Sequence, residues 1–221
     1  IPIRIIRNER NMGRGFCRNI GIIQCKSEYA LFCDASNSLC NDFTEKALIS
    51  FNDKKVAAVY GRITNNATYS DVCSRWRERH LFLETYPESK ESYKVYSLST
   101  YSVLLRKSYI LTSGNFDINM REYEDFDLGK RIIGKNYNIL FDPKLYCHSN
   151  RKDNFFSLAS RVNRWYSSAN SDDRLLGILQ IIKTSLLIWL KKDIAVKDYF
   201  SAIISILLIP AIIYYSSYND Y

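Results

Sequence analysis

Three polar constellations in this chain combine residue types that can do chemistry, and each stands at the end of a strand-like run. The first is Asn11-Met12-Gly13 followed by Arg18-Asn19-Ile20-Gly21. Gly13 and Gly15 allow a tight turn beside a ligand. Arg18 can pair with a phosphate or with a carboxylate at the next strand end, and a helix cap with core contacts is the alternative use of the same residues. The second is Asp34-Ala35-Ser36-Asn37, directly after the apolar run EYALFC of residues 28–33. A carboxylate there can hold a hard cation that neutralises a diphosphate, with Ser36 and Asn37 adding neutral oxygens; an Asx turn opening a loop is the other reading. The third is Gly114-Asn115-Phe116-Asp117 with Glu124-Asp125-Phe126-Asp127-Leu128, three carboxylates within four residues. At a helix N-terminus the dipole alone favours such charges. One of them can also serve as general base toward an acceptor hydroxyl.

These groups need elements to hold them. Residues 1–7 alternate apolar and basic, which predicts a strand, and 16–25 carry apolar residues at helical spacing. Buried strands are expected over 28–33, 55–63 and 101–105, and helices over 42–52 (capped by Asn41 or Asp42), 70–85 (around Trp76) and 124–133. Two short strands, 139–141 and 145–147, flank Pro143. Strands alternating with helices imply βα units and a mostly parallel sheet with helices on both faces, whose strand ends bind ligands.

The last quarter differs. Residues 175–190 are apolar but carry Gln180, Lys183 and Ser185 loosely to one side, which suits an interfacial amphipathic helix. Residues 199–215 lack any charge over 17 positions, the short end of what spans a bilayer, with Tyr199, Phe200, Tyr214 and Tyr215 flanking and Pro210 set to kink the helix. A buried helical hairpin is the competing reading. Two regions are therefore expected: 1–170, and 171–221 as amphipathic and apolar helices associated with a membrane.

Composition narrows the class. At 221 residues, 47% hydrophobic and 24% charged, disorder, collagen-like repeats and disulfide scaffolds are excluded. The net charge is +8, and near the N-terminus Arg4, Arg7, Arg10, Arg14, Arg18 and Lys26 face only Glu9 and Glu28. Such a cluster suits an anionic partner or a solvated basic face. No nucleic-acid partner is expected, since no helix-turn-helix, zinc finger or aromatic RNA-binding sheet signature is present. The six cysteines form no CxxC pair; Cys17, Cys25 and Cys33 read as small core residues in a reducing compartment. No signal peptide is visible, and a chain opening on Ile1 in a strand-like run reads as a fragment or processed product.

Taken in order, the constellations resemble the family 2 glycosyltransferases, inverting enzymes with a GT-A fold. Asn11-Met12-Gly13, Arg18-Asn19-Ile20-Gly21, Glu28-Tyr29 and Phe32-Cys33-Asp34 resemble the family's N-x-G…ARN-x-G…D-x-D run. Gly114–Asp117 is similar to its G-x-F-D element, and Glu124–Leu128 with Arg131 and Gly134 to its E-D-x-D-L…R…G helix. Pro143 and His148 sit where a P…V-x-H element is usual, and the likeness covers about residues 1–166. The resemblance implies an α/β, Rossmann-like GT-A mixed sheet flanked by helices. It also implies that the first βα units are missing, roughly fifty residues ahead of Ile1 judged from βαβ size, and that apolar helices follow.

The resemblance further implies a role for each residue. Asp34 would be the first acid of the metal-binding D-x-D, joining Mg2+ or Mn2+ to the donor's diphosphate. Ser36 stands where the second acid is usual, which leaves the site to Asp34 with His148, Asn37 and waters. Asp125 would be the base that deprotonates the acceptor, with Glu124 positioning the base or acceptor, and Arg18 and Asn19 on the substrate side ordering the strand-end loop. Ser160-Arg161-Val162-Asn163-Arg164-Trp165 is similar to the Q-R-x-x-R-W signature of membrane-embedded, processive members, with Ser160 in place of Gln. Arg161 and Arg164 would then contact the diphosphate and Trp165 would stack on the acceptor sugar. The expected partners are a nucleotide-diphosphate sugar and a saccharide or lipid-linked acceptor, at the cytoplasmic face of a membrane and in the making of cell-envelope polysaccharide. A non-catalytic remnant that keeps only binding or membrane association is the alternative.

Overall fold

The structure, a computed structural model, describes residues 3–66, 71–83, 90–169, 179 and 182–218. The chain divides into two compact units, one of residues 1–32, 44–60 and 92–142, the other of 33–43, 61–91 and 143–221. The strands are β1 (Tyr29–Cys33), β2 (Asn37–Leu39), β3 (Val56–Asn65), β4 (Tyr93–Val95), β5 (Ser102–Arg106) and β6 (Asn138–Ser149). They form a six-stranded sheet in the order β1-β5-β3-β6-β2, with β4 also paired to β6.

In the first unit, helix α1 (Arg14–Gln24), helix α2 (Phe43–Ile49), helix α4 (Lys107–Thr112) and helix α5 (Glu124–Gly134) accompany the strands. The core is aliphatic and aromatic. Val56 to Tyr60 on β3 and Val103 to Leu105 on β5 are buried, packed with Ile22, Ile110, Leu128, Ile132 and Phe141. Such continuous apolar runs mark strands covered on both faces.

Several expectations change. Where registers are described, pairing is antiparallel: β3 with β5 (Val59 opposite Leu104), β4 with β6 and β2 with β6. Alternation of helix and strand shows that a helix intervenes, but not which neighbour the next strand joins. Strands β2 and β4 have three residues each, too few to show a period of two. Residues 3–8 form no strand, and Ile3 and Ile5 are 88% and 86% exposed, because alternation makes a strand only where a partner accepts the backbone hydrogen bonds. Strand β6 runs unbroken through Pro143; a proline forfeits one N–H and is tolerated where the ladder does not use it. Cys17 and Cys33 are exposed and Cys25 half-buried, so of all six free thiols only Cys147 is a buried core residue.

The second unit holds helix α3 (Val72–Arg77), continuing over 78–83 as a wider helical turn, helix α6 (Phe155–Ala169), a wide turn at 185–189 leading into helix α7 (Leu190–Ala195), and helix α8 (Tyr199–Tyr218). Asp71 caps α3 by accepting from the Ser74 amide at 3.0 Å. Trp76, Leu158, Val162, Trp189, Leu208 and Ile212 form the apolar centre. Of the expected helix at 175–190, residues 175–178, 180 and 181 lie outside the described residues, as does the Trp165 side chain, while 182–190 are helical. Among the described residues no helix is long and apolar enough to cross a membrane.

Gly61 on β3 marks a very close approach of two strands. A Cβ there would fall well inside contact distance of the Leu145 carbonyl oxygen and Cβ on β6. The first is strand backbone and the second is fixed directly to it, so neither can swing away. Gly61→Ala is therefore expected to destabilise by about 3 kcal/mol, at the upper end of overpacking costs, read as a lowered urea midpoint with unchanged slope.

A charged network ties the helices of this unit together. Arg79 and His80 reach Asp193, Arg75 and Arg79 reach Asp198 (3.2 and 3.0 Å), and Ser205 donates to Asp193 at 2.7 Å while accepting from the Trp76 indole at 2.8 Å. Burial works to raise both carboxyls. Hydrogen bonds from His80, Ser205 and Arg79 outweigh it at Asp193, and those from Arg75, Arg79 and Ser201 outweigh it at Asp198, so both titrate below the ordinary range. A carboxyl depressed on folding stabilises above its unfolded value, about 3.9, and that stabilisation is lost as pH falls toward the folded value. Urea midpoints are accordingly expected to hold from pH 7 to about 5 and to drop below about 4, with a shallower drop in Asp193→Asn/Asp198→Asn.

Candidate active site

In the first unit the acidic helix is the centre of a built polar site. Tyr123, at φ 62°, turns the chain through the left-handed region, and α5 begins at once with Glu124. For a non-glycine residue that conformation is uncommon and mildly strained. It sets Glu124, Asp125 and Asp127 in the first turn, where the dipole favours their charge.

Each of the three acids has different surroundings. Glu124 is 1% exposed and gripped by Arg18 and by Arg14, whose Nε lies 3.2 Å away. Asp127 takes Nε and Nη2 of Arg131 at 3.0 and 2.7 Å, and Arg131 also donates to the carbonyls of Ser113 and Asn115. Asp125 is half-buried. Its Oδ2 accepts from the Thr100 hydroxyl at 3.0 Å and its Oδ1 from the Phe126 amide at 2.9 Å. Two neutral donors fix its orientation, Arg14 interacts with it only through space, and a carboxylate so held can serve as a general base.

The glycine-rich loop and α1 support this helix. Asn19 and Phe116 exchange hydrogen bonds, Nδ2 to the carbonyl at 2.8 Å and amide to Oδ1 at 3.0 Å, pinning the 114–117 loop. Arg18 also lies over the Phe116 ring, 5.6 Å from its centroid. A Cβ on Gly15 would come within 2.8 Å of the Asp117 carbonyl, so only glycine lets α1 approach this loop so closely. The structure thus brings Arg18, Asn19, Glu124 and Asp125 together, with Arg18 and Asn19 engaged by protein groups. Thr100 and Arg14 were missed by the sequence reading. Nothing around Thr100 marks it, and Arg14 counted only as part of a basic cluster.

In the second unit, Asp34 and Ser36 are exposed on the turn ahead of β2. The turn is closed by the Asn37 amide bonding to the Asp34 carbonyl at 2.9 Å and held by the Asn150 amide on the Ser36 carbonyl at 2.7 Å. His148 lies opposite Ser38 across the β2–β6 ladder, with Nδ1 2.9 Å from the Thr64 hydroxyl. Among the described residues no group of three or more His, Cys, Asp or Glu side chains could cage a metal. One exposed carboxylate beside hydroxyl and amide oxygens fits Mg2+ or Mn2+ of the kind that keeps waters and arrives with a diphosphate, rather than a resident ion.

On α6, Arg161 is 8% exposed, its Nη2 lying 3.0 Å from both oxygens of Asp153. Burial, with Arg151, Arg77 and Arg164 adding to it against the pull of Asp153, lowers its pKa to about 10, which leaves it charged at neutral pH. Arg164 is exposed.

With these sites in view, the fold can be compared with known structures. The chain is similar to a crystal structure of GalNAc-T7 with UDP, GalNAc and Mn2+, with a TM-score of 0.50 and 14% sequence identity, over 73% of this chain and 36% of that one. The fold is GT-A. The acidic helix, the glycine-rich loop and the Asp34 turn are therefore features carried on a GT-A sheet. No family model matches the chain, and no curated protein matches it.

Proposed function

We propose that this GT-A domain transfers a sugar from a nucleotide-diphosphate donor to a hydroxyl acceptor with inversion, in the manner of the family 2 enzymes it resembles. The observation that carries the reading is Asp125: a half-buried carboxylate at a helix N-terminus, oriented by Thr100 and the Phe126 amide, beside a second acid neutralised by two arginines. In the reaction, Asp125 takes the acceptor's hydroxyl proton as that oxygen attacks the anomeric carbon. The bond to the diphosphate breaks, the leaving group keeps the electron pair, and the configuration at the carbon inverts. Glu124, Arg18 and Asn19 act as positioning residues that hold the acidic turn and the 114–117 loop.

A divalent cation, when bound, would offset the charge that develops on the departing diphosphate. Asp34, Ser36 and His148 are the residues assigned to hold it, together with the diphosphate's own oxygens. Arg164 is assigned to the diphosphate and Trp165 to the acceptor sugar, while Arg161 serves α6 through Asp153. A non-catalytic remnant is the second reading, favoured by Ser36 at the second acid's place.

The two separate in one assay: nucleoside diphosphate released from a panel of UDP- and GDP-sugars, with Mn2+ or Mg2+ and with chelator. Metal-dependent release from one donor supports transfer. A folded chain silent toward every donor and metal supports the remnant.

A further inference from the structure

Helix α8 is apolar on both its buried and its exposed side. Inward it sends Ile204, Leu208 and Ile212 into the apolar centre, and two serines with them: Ser201 bonds to Asp198 at 2.9 Å, and Ser205, fully buried, links Asp193 to the Trp76 indole. Its exposed positions are apolar as well. Ile203, Ile206, Leu207, Pro210, Ile213 and Tyr214 recur at helical spacing along one face, continued by Tyr199 and Phe200 at the N-terminal end. The wide turn before α7 repeats the pattern, with Thr184 and Ser185 buried and Leu186, Leu187 and Ile188 exposed. A contiguous apolar surface of this kind marks an interaction site.

Charge on the same helices is sorted in the same sense. The acids of residues 182–214 are Asp193 and Asp198 alone, and both are turned inward onto Arg75, Arg79 and His80. Lys183, Lys191 and Lys197 are exposed. The exposed residues of 182–214 are therefore apolar, lysine or tyrosine, with no carboxylate among them.

We propose that this surface docks on an anionic lipid bilayer, with α8 lying in the interface. Lysines meet the headgroups, tyrosines suit the interfacial depth, and the isoleucine and leucine face enters the acyl boundary. A protein partner would call for hydrogen-bonding side chains among the apolar ones, and between Ile203 and Ile213 this face offers none. The inner face of α8 is bound to the charged network, so one side meets lipid and the helix lies flat rather than spanning. This inference stands apart from the reading of sugar transfer, and either can fail alone.

The test is flotation of the full chain with vesicles of phosphatidylcholine alone or mixed with phosphatidylglycerol. Partition to the anionic vesicles is expected, weakening about fivefold for each of Lys183→Gln and Lys191→Gln. Ile203→Ser/Ile206→Ser/Leu207→Ser is expected to reduce partition about 100-fold, with the far-ultraviolet circular dichroism of the parent. Should that variant not fold, Phe200→Trp serves alone: brominated lipid must quench its fluorescence. Absence of flotation, flotation unaffected by the serine substitutions, or lack of quenching overturns the proposal. So does a discrete dimer that the same substitutions dissolve, since the face would then belong to a second copy.

Discussion

Asp125→Asn is expected to lower sugar transfer by about 10²- to 10⁴-fold, the usual contribution of a positioned general base. The amide has the shape of the carboxylate, and its oxygen can still accept from Thr100 or from the Phe126 amide. It cannot take the acceptor's proton. Because only that property changes, the melting temperature should stay close to the parent's, and the loss should fall on kcat more than on KM for the donor. Glu124→Gln makes the contrast. Its carboxylate is buried between Arg14 and Arg18, so removing the charge leaves both arginines poorly matched and should lower stability together with rate. Thr100→Val should cost less than either, through looser orientation of Asp125. Equal activity in Asp125→Asn and the parent would remove the base from the mechanism. A rate loss in step with a falling melting temperature would make Asp125 a structural residue.

What could be read from the residues beforehand follows a physical line. Elements whose pattern is local were legible: α1 from its apolar spacing, β1 from the run ending at Cys33, α5 from its acids and apolar stripe. Elements set by a distant partner were not. The β2 and β4 strands exist because β6 offers them a ladder, and residues 3–8 stay unpaired despite an alternation that looks like a strand. The site divides in the same way. Asp125 and Glu124 stand out as neighbouring acids, but their difference comes from Thr100 on one side and Arg14 and Arg18 on the other. Those contacts span 25 and about a hundred positions of sequence. Arg161 shows the reverse: a motif residue whose nearest anion is Asp153, eight positions away, within the same unit. Hydropathy alone likewise could not show that α8 buries Ser201 and Ser205 while leaving Ile203, Ile206 and Ile213 exposed.

Asp153→Asn is expected to cost about 3–5 kcal/mol, the range for removing one member of a buried ion pair. The side chain is fully buried and holds Nη1 of Arg77 at 2.7 Å, Nη2 of Arg161 at 3.0 Å and Nε of Arg151 at 3.2 Å, and it accepts from the Ser157 hydroxyl at 3.0 Å. Arg77 is itself fully buried, with Nη1 also donating to the Arg151 carbonyl and Nη2 to Asn65, while its Nε finds no partner. Asparagine keeps the shape but strands two buried guanidinium groups without an anion, and repulsion between them replaces attraction. Arg161→Leu should be far milder, because Asp153 keeps Arg77 and because the neighbouring arginines already work against the Arg161 charge. The double variant should therefore be less destabilised than the sum, by a coupling of about 1–3 kcal/mol. Urea titration of the four proteins measures this directly. Additive costs, or an Asp153→Asn protein within about 1 kcal/mol of the parent, would show that the carboxylate is not the keystone of this cluster. Asp153 sits two residues ahead of α6, the helix that carries Arg164 and Trp165, so a loosened cluster should also raise KM for the donor before the unit unfolds.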